Sequence, residues 1–291
     1  MTPATTTTSV RLALPKGRMQ DEVLRLLKQA GIGVAASARD YRPTISLDGF
    51  ELKVLKPRAI VEMLACGARD CGFAGADWVA EADAELVELL DTGLNPVRLI
   101  AAAPEELLEH GELPNRPLIV ASEYVGLTQR WIERRGLDAT LLRSYGATEV
   151  LPPEDADCII DNTATGATLE ANNLAVIDEL MRSSTRLYAS RRAMEDPSKR
   201  KQIEQLALIT SAVLEARRRV MIEMNVSADA LDRVVDLLPC MREPTVSQLR
   251  SHEGFAVKAA VLRSEFASVV PRIKAAGGTD IIVTSPEQIV P

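Results

Sequence analysis

The sequence predicts an α/β fold followed by a separate ferredoxin-like unit. Between residues 10 and 219, short apolar runs alternate with longer segments whose apolar residues recur at helical spacing. This alternation is typical of layered α/β folds. After residue 219 the predicted order changes to βαββαβ, the arrangement of a ferredoxin-like unit of about 70 residues. The change in pattern predicts a domain boundary near residues 217–219.

The first block begins with an apolar strand and a basic turn. Residues 10–14 form the predicted strand, and the turn at residues 15–18 leads into a helix that Gly31 closes. Pro57 opens a second helix, because proline fits the first helical turn. The remaining predicted strands of this block are residues 44–47, 52–55 and 70–74.

The later blocks continue the pattern with longer helices. We predict helices at residues 124–135, which Gly136 ends, and at residues 197–219. The strands predicted between and around them are residues 118–121, 139–143, 158–160, 175–178 and 186–190. In the C-terminal unit the predicted strands are residues 220–226, 245–249, 255–261 and 280–283, and the helices are residues 228–238 and 264–276.

The composition argues against several classes of protein. Acidic residues outnumber basic ones by 41 to 34, giving a formal net charge of −7, whereas a nucleic-acid-binding protein needs a basic surface. No apolar run approaches the roughly 20 residues that a membrane helix requires. Residues 1–9 carry no basic, apolar signal peptide. We therefore expect a cytoplasmic protein with a frayed N-terminal leader and no membrane or nucleic-acid partner.

The strongest local signal for chemistry lies at residues 158–169. An apolar strand delivers Asp161, and a loop of small and hydroxyl residues then enters a helix. Helix N-termini attract anions, and small residues let a phosphate approach the backbone closely. Asp161 would lie where it can bind ribose hydroxyls or a metal held by them. A plain helix N-cap with threonine as the capping residue explains this segment equally well.

A basic turn follows the first predicted strand. Lys16 and Arg18 flank Gly17 at the carboxyl end of that strand, and ligands gather at this end in α/β sheets. Two cations around a glycine suit a diphosphate. A solvated turn with surface charges is the favoured interpretation when the segment is considered alone.

A glycine-rich segment ends the strand predicted at residues 70–74. Gly72 and Gly75 would let a ligand lie against the backbone there. The alternative is an ordinary strand-to-helix turn that Asp77 caps. Chemistry based on histidine has little support, because the sequence has only 2 histidines, and the P-loop pattern of many NTPases does not occur.

Taken in order, these segments resemble those of the ATP phosphoribosyltransferases, over nearly the whole chain from Val10 onward. Residues 11–18 are similar to the family's first strand and basic turn. Residues 70–77 are similar to its Asp-x-Gly-x-x-Gly-x-Asp stretch. Residues 161–169 resemble its phosphoribosyl pyrophosphate loop, which the related residues 146–149 precede and residues 170–174 continue.

The chain departs from the family pattern at two places. Lys56 stands where an arginine is usual, and a lysine offers a point charge instead of a bidentate fork. Residues 162–164 read Asn-Thr-Ala where the family more often has apolar residues followed by serine. Neither departure removes the anion-binding character of the segments.

The resemblance implies a two-lobed catalytic part, like periplasmic binding proteins in fold, over residues 1–218. Lobe I would comprise about residues 1–97 and 185–218 and lobe II about residues 98–184, with the substrates in the cleft between them. The implied reaction condenses ATP with 5-phosphoribosyl 1-pyrophosphate to N1-(5-phosphoribosyl)-ATP and pyrophosphate, the first step of L-histidine biosynthesis. Mg²⁺ is the implied cofactor.

The resemblance also implies which residues form the site. Lys16, Arg18 and Asp161 would be catalytic, and Asp161 and Glu149 would also hold the metal. The implied substrate-binding residues are Gly17, Lys56, Gly72, Gly75, Asp77, Glu149, Thr163, Ala164, Thr165, Gly166, Ala167 and Thr168.

Residues 219–291 resemble the regulatory domain of the family's long form, through residues 238–239 and 244–246. The resemblance implies feedback inhibition by L-histidine, bound by Asn225 and Thr245, and a homo-oligomer, either dimer or hexamer. Three alternatives remain open at this stage. The unit could only assemble subunits, the chain could be a non-catalytic two-lobed binding protein, or it could be a sensor built around the C-terminal unit.

Overall fold

The computed structural model describes residues 9–35 and 41–290. The chain forms two compact units, a larger one of Met1–Lys28 and Ile32–Ala207 and a smaller one of Gln29–Gly31 and Leu208–Pro291. The sequence predicts a boundary at residues 217–219, whereas the units divide inside a helix that runs from Pro197 to Arg218. Residues 1–8 of the predicted leader lie outside the described residues.

The larger unit alternates strands and helices, as its periodicity predicts. Its described strands are β1 (Val10–Pro15), β2 (Val34–Ala35), β3 (Thr44–Ile45), β4 (Phe50–Leu55), β5 (Cys71–Gly75), β6 (Leu86–Pro104), β7 (Leu118–Ser122), β8 (Ala139–Arg143), β9 (Cys158–Thr163) and β10 (Leu174–Ser190). Its helices are α1 (Gln20–Gln29), α2 (Pro57–Ala65), α3 (Ala76–Glu81), α4 (Val125–Arg135), α5 (Ala167–Ala171), α6 (Arg191–Glu195) and α7 (Pro197–Arg218).

One sheet carries both lobes of the larger unit. Its strand order is β4-β1-β5-β10-β6-β9-β7-β8, with parallel strands of lobe I at one side, parallel strands of lobe II at the other, and the antiparallel pair β6–β10 between them. The last residue of β5, Gly75, pairs with Thr185, and the last residue of β9, Thr163, pairs with Arg98. Leu94 pairs with Thr185 and Arg98 with Arg182. The carboxyl ends of β5 and β9 therefore meet at the middle of the long pair.

The long pair departs most from the sequence-based prediction. Residues 86–104 are a single 19-residue strand where we predict none, and the predicted strands at 175–178 and 186–190 are parts of one 17-residue strand. The register between β6 and β10 shifts at several places, for example between Ser183 and Thr185. Bulges of this kind interrupt the two-residue alternation from which a strand is recognised in a sequence.

Asp70, the first residue of the matched acidic and glycine stretch, has a structural role. Its carboxylate accepts hydrogen bonds from Arg11 Nε at 3.0 Å, from Arg11 NH2 at 2.9 Å and from Lys199 Nζ at 2.9 Å. Burial alone would raise the pKa of Asp70, but these hydrogen bonds hold the pKa below its ordinary value. The cluster ties the start of α7 to the border of β1 and β5.

The smaller unit confirms the predicted ferredoxin-like order. Its sheet has the strand order β12-β13-β11-β14 with antiparallel pairing throughout. Alternate residues of β11, among them Ile222 and Met224, are buried against both helices. The elements are β11 (Arg219–Ser227), α8 (Leu231–Val235), β12 (Thr245–Gln248), β13 (Gly254–Leu262), α9 (Phe266–Ala275) and β14 (Thr279–Thr284).

Helix α8 is shorter than the predicted helix at residues 228–238. The chain first makes a turn in which Ala230 N donates to Ser227 O at 3.1 Å. At the other end, Pro239 disfavours helical backbone at Leu238. These two limits leave only the 5 residues from Leu231 to Val235 in the helix.

Across the described residues, every helix is too short or too polar to cross a membrane.

Candidate active site

A cavity of about 340 Å³ lies where the carboxyl end of β9 meets neighbouring loops. It brings together Arg18 from the turn after β1, Glu149 from a short helical turn and the loop that follows Asp161, although Arg18 and Asn162 are 144 positions apart in sequence. The side chains and backbone that line it are Arg18, Ile100, Glu123, Gly146, Thr148, Glu149, Asp161, Asn162, Thr163, Ala164, Thr165, Thr168 and Leu169.

Two further cavities adjoin this one and extend it into a cleft. A cavity of about 140 Å³ shares Arg18 and Asn162 with the first and is also lined by Lys16, Gly75 and Asp77. A cavity of about 390 Å³ is lined by the predicted residue Lys56 and by two arginines, Arg58 and Arg143, and shares Glu123 with the first. Cations and carboxylates line each of the three cavities, which suits a substrate that has a polyphosphate and a sugar.

Lys16 is held at the cleft by an aromatic ring. Its Nζ donates a hydrogen bond to Tyr41 OH at 3.0 Å and lies 4.6 Å from the centre of the same ring. The lysine lowers the pKa of Tyr41, first through this hydrogen bond and then through its charge. A cation in this arrangement keeps hydrogen-bond donors available to an anionic ligand.

The loop after β9 depends on backbone that only glycine adopts readily. Gly166 has φ +87 and is the N-cap residue of α5, so the cap position itself holds no side chain. The hydroxyl of Thr163 accepts a hydrogen bond from Gly166 N at 3.0 Å, and this bond joins the end of β9 to the start of α5 across the loop. Thr163 therefore shapes the loop, and the simple alternative of a threonine N-cap is wrong.

Four predicted substrate-binding residues, Gly17, Gly72, Gly166 and Ala167, line none of the three cavities. Gly17 has φ +88, so, like Gly166, it serves the backbone of its turn. Gly72 lies inside β5, where a Cβ would meet Ala13 O and Ile60 Cγ2, each at 2.9 Å. This geometry gives Gly72 a packing role against β1 and α2 and does not support substrate contact.

Comparison with known proteins identifies the family. The sequence model described as ATP phosphoribosyltransferase matches residues 56–210, and the model of the HisG C-terminal domain matches residues 216–287. The chain is 35% identical to an ATP phosphoribosyltransferase of Pelotomaculum thermopropionicum over 287 residues, covering 97% of this chain and 99% of that protein.

The chain belongs to the ATP phosphoribosyltransferase family.

Other relatives agree with this assignment. The enzyme is 34% identical to an ATP phosphoribosyltransferase of Chlorobium luteolum, covering 94% of each chain. A solved structure of an ATP phosphoribosyl transferase (HisG:HisZ) complex from Thermotoga maritima superposes with a TM-score of 0.64 at 25% identity, covering 71% of this chain and 98% of that chain. The enzyme is a pentosyltransferase that joins ATP to 5-phosphoribosyl 1-pyrophosphate in the first step of histidine biosynthesis. Its C-terminal domain makes it a long-form member.

Asp161 of the phosphoribosyltransferase has an unusual ionisation. Burial raises its pKa to about 6, the charges of Glu149 and Glu123 raise it as well, and Asn162 N and Arg18 oppose the shift. Below about pH 6 the carboxyl is therefore increasingly protonated. A partly buried carboxylate next to other acids is typical of a functional site, because such an arrangement costs stability and shifts the pKa toward the range that catalysis uses.

We expect Asp161→Asn to stabilise the enzyme while removing its activity. Because folding raises the pKa of Asp161 from 3.8 to about 6, the cost of the ionised group is absent below about pH 4, grows between pH 4 and 6, and is complete above pH 6. The gain in unfolding free energy should reach at most about 3 kcal/mol at pH 7.5 and vanish near pH 4. Urea denaturation at both pH values measures it.

A matched control for this prediction is Asp138→Asn, which changes an exposed aspartate in the turn before β8. Its effect on stability should be small and similar at both pH values. If Asp161→Asn gave the same free-energy change at pH 4 and pH 7.5, the raised pKa would be contradicted.

Carboxylates in the main cavity offer oxygen ligands for a divalent metal, which the family generally uses. Glu149 and Asp161 line that cavity together with Glu123. Within the described residues, no group of three or more His, Cys, Asp or Glu side chains is arranged to hold a metal. The described residues alone therefore offer only part of a coordination shell.

In the smaller unit, the two predicted regulatory residues lie apart. Thr245 lines a cavity of about 320 Å³ together with Arg242, Glu243 and Lys258. Asn225 does not line this cavity, and its Nδ2 donates a hydrogen bond to Asp280 Oδ2 at 3.0 Å. The pairing explains the separation, because Thr245 aligns with Lys258, whereas Asn225 aligns with Ala256.

Several cleft residues are absent from the sequence-based prediction. Glu123 and Tyr124 follow the end of β7 directly, so the rule that selected Lys16 and Asp161 could also have selected them. Ser183 and Thr185 line the second cavity from inside β10. No local pattern marks them, because they reach the cleft only through the bulged pairing of β6 with β10.

Proposed function

We propose that the cleft of the larger unit binds both substrates. The loop at residues 163–168 surrounds the 5-phosphate of phosphoribosyl pyrophosphate, Asp161 and Glu149 face its ribose, and Lys16 and Arg18 face its diphosphate. The observation that carries this proposal is that Arg18, Glu149 and Asp161, from three distant segments, line one cavity. Lys56 contributes a further cation at the adjoining cavity.

The proposed site places charged groups next to the atoms on which the reaction develops charge of the opposite sign. As N1 of adenine bonds to C1 of the ribose, the C1–O bond breaks and its electron pair leaves with pyrophosphate. Positive charge grows on the ribose and negative charge on the diphosphate. Preorganised groups of opposite sign stabilise such a transition state, and orienting the two substrates lowers the barrier further. Asp161 and Glu149 act on the first charge, and Lys16 and Arg18 on the second.

Mg²⁺ is the metal that we propose for this site. The available donors are carboxylate oxygens, which suit Mg²⁺, and Asp161 and Glu149 would hold it. Two carboxylates would fill only part of the coordination shell of Mg²⁺, so phosphate oxygens and water would supply the remaining ligands. When bound, Mg²⁺ neutralises charge on the leaving diphosphate.

A direct assay tests the proposed cleft. The full chain is incubated with ATP, phosphoribosyl pyrophosphate and Mg²⁺, and the N1-substituted product is detected by mass together with pyrophosphate release. Asp161→Ala should abolish product formation in the folded protein, and Asp138→Ala should not. Normal turnover by Asp161→Ala would reject the assignment of the cleft.

We further propose that the smaller unit binds L-histidine and that the enzyme is a cytoplasmic homo-oligomer. A free amino acid needs donors for its carboxylate and acceptors for its ammonium group. The cavity at Thr245 offers both, because Arg242, Lys258 and the threonine hydroxyl can donate and Glu243 can accept. Light scattering of the purified chain, with and without histidine, tests the assembly.

Thr245→Ala should weaken inhibition by histidine without lowering turnover in its absence. Losing one hydroxyl hydrogen bond should raise the half-inhibitory histidine concentration by up to about tenfold. Thr245→Ser is the matched control, because it retains the hydroxyl, and its inhibition should stay near that of the wild type. If the wild-type enzyme is indifferent to millimolar histidine, the regulatory proposal fails and the unit serves only assembly.

A further inference from the structure

A chain of hydrogen bonds runs through the cleft from Arg18 to Ser183. Arg18 NH2 donates to Asn162 Oδ1 at 3.1 Å, and Asn162 Nδ2 donates to Tyr124 OH at 2.9 Å. Tyr124 OH donates to Asp77 Oδ2 at 2.6 Å. The other oxygen of Asp77 accepts from Ser183 Oγ at 2.7 Å. These five residues come from different segments of both lobes.

The direction of every bond in the chain follows from its buried end. The carboxylate of Asp77 can only accept, and Ser183 Oγ already accepts from Asp77 N at 3.0 Å, so both hydroxyl hydrogens point at the carboxylate. Burial, followed by the charge of Asp77, raises the pKa of Tyr124, so the phenol keeps its proton. Its oxygen can then only accept from Asn162, which must present its amide nitrogen to Tyr124 and its carbonyl oxygen to Arg18.

One half of the hydrogen-bond chain is buried, and its exposed end is Arg18. Tyr124 is 0% exposed and stacks on Trp78 with ring centres 4.6 Å apart. Asp77 is also buried. Arg18, in contrast, is exposed and lines both the cavity at Asp161 and the cavity at Lys16. The side-chain oxygen of Asn162 therefore holds the exposed guanidinium of Arg18 at the point that the two cavities share.

We propose that Asn162 is a positioning residue that orients Arg18 toward the phosphoribosyl pyrophosphate diphosphate, with its orientation set by Asp77 through Tyr124. This inference rests on the proposed role of Arg18 in binding the diphosphate. An apolar residue at position 162 could form neither the hydrogen bond with Arg18 nor the one with Tyr124. We therefore expect this orientation of the arginine only in family members that carry asparagine or a similar amide at that position.

A double-mutant cycle between Asn162→Leu and Arg18→Ala tests this inference. A hydrogen bond to a charged group is worth about 1.5–3 kcal/mol, so Asn162→Leu should lower kcat/KM for phosphoribosyl pyrophosphate by about tenfold or more. The loss should appear as a higher KM for phosphoribosyl pyrophosphate and leave the KM for ATP nearly unchanged. In the Arg18→Ala background the same change should cost less than twofold, because the arginine that it positions is gone.

Two further variants provide an alternative cycle and a control. Tyr124→Phe removes only the hydroxyl that orients Asn162 and should reproduce part of the loss, again only when Arg18 is present. If Asn162→Leu does not fold, Tyr124→Phe with Arg18→Ala completes the same cycle. Tyr188→Phe is the matched control, because Tyr188 is a buried tyrosine whose hydroxyl lies 3.5 Å from Glu88 Oε2, and its kinetics should stay normal.

The outcomes separate this inference from the proposed function. If Arg18→Ala lowers kcat/KM but Asn162→Leu costs the same factor with and without Arg18, the positioning role is overturned and the cleft assignment stands. If Arg18→Ala itself has wild-type kinetics, the proposed role of Arg18 fails first. An equal rise in both KM values for Asn162→Leu would also contradict the positioning role.

Discussion

Gly166→Val should lower kcat/KM for phosphoribosyl pyrophosphate by about 10²-fold or more. Gly166 has φ +87, a backbone conformation that valine resists strongly. The loop would change course, and the valine would also occupy space next to the proposed 5-phosphate site. Losing interactions of this kind in the transition state costs about 2.7 kcal/mol or more. Steady-state kinetics with each substrate varied in turn measures the effect.

A glycine elsewhere in the same lobe offers a matched control for this substitution. Gly136 also has positive φ, at +63, and no atom lies within 4 Å of a Cβ placed on it, but it ends α4 away from the three cavities. Gly136→Val should lower stability by about 1–2 kcal/mol and leave kcat/KM nearly unchanged. A folded Gly166→Val enzyme with normal kinetics would remove the loop from the proposed site.

Lys16→Ala should lower kcat/KM by roughly 10²-fold, because the transition state loses one charge that faces the leaving diphosphate. The lysine is well placed for this role, since the ring of Tyr41 holds its ammonium group at the second cavity. Arg18→Ala should be similar or milder. Both values come from initial rates of pyrophosphate release at fixed, saturating ATP.

The control for the lysine is Lys28→Ala, at the exposed end of α1. Both variants remove one positive charge from the chain, so a general effect of net charge would appear in both. Only Lys16→Ala should slow the enzyme. If Lys16→Ala and Arg18→Ala both kept wild-type rates, the basic turn would be a surface feature, as its sequence considered alone suggests.

Local signals in the sequence identify many of the residues that line the three cavities. Strand ends carry functional residues in α/β folds, and Asp161 lines the main cavity as a residue at such an end. The same reasoning selects Lys16 and Gly75, which line the second cavity, whereas the family resemblance adds Lys56, which lines the third. The same reasoning also selects Gly72, which has a packing role instead. A glycine required for packing against a neighbouring strand cannot be distinguished, in a sequence, from one that a ligand approaches.

The sequence by itself determined the order of most elements and the ferredoxin-like unit, and it marked three candidate anion-binding segments, because periodicity and turn residues act over a few positions. Only the tertiary structure decided which of these segments share a cavity. That depends on the bulged pairing of β6 with β10, which brings the ends of β5 and β9 to one place. The hydrogen-bond chain from Arg18 to Ser183 arises in the same way. Its partners lie 144, 38, 47 and 106 positions apart, and no local pattern encodes contacts between segments so distant in the sequence.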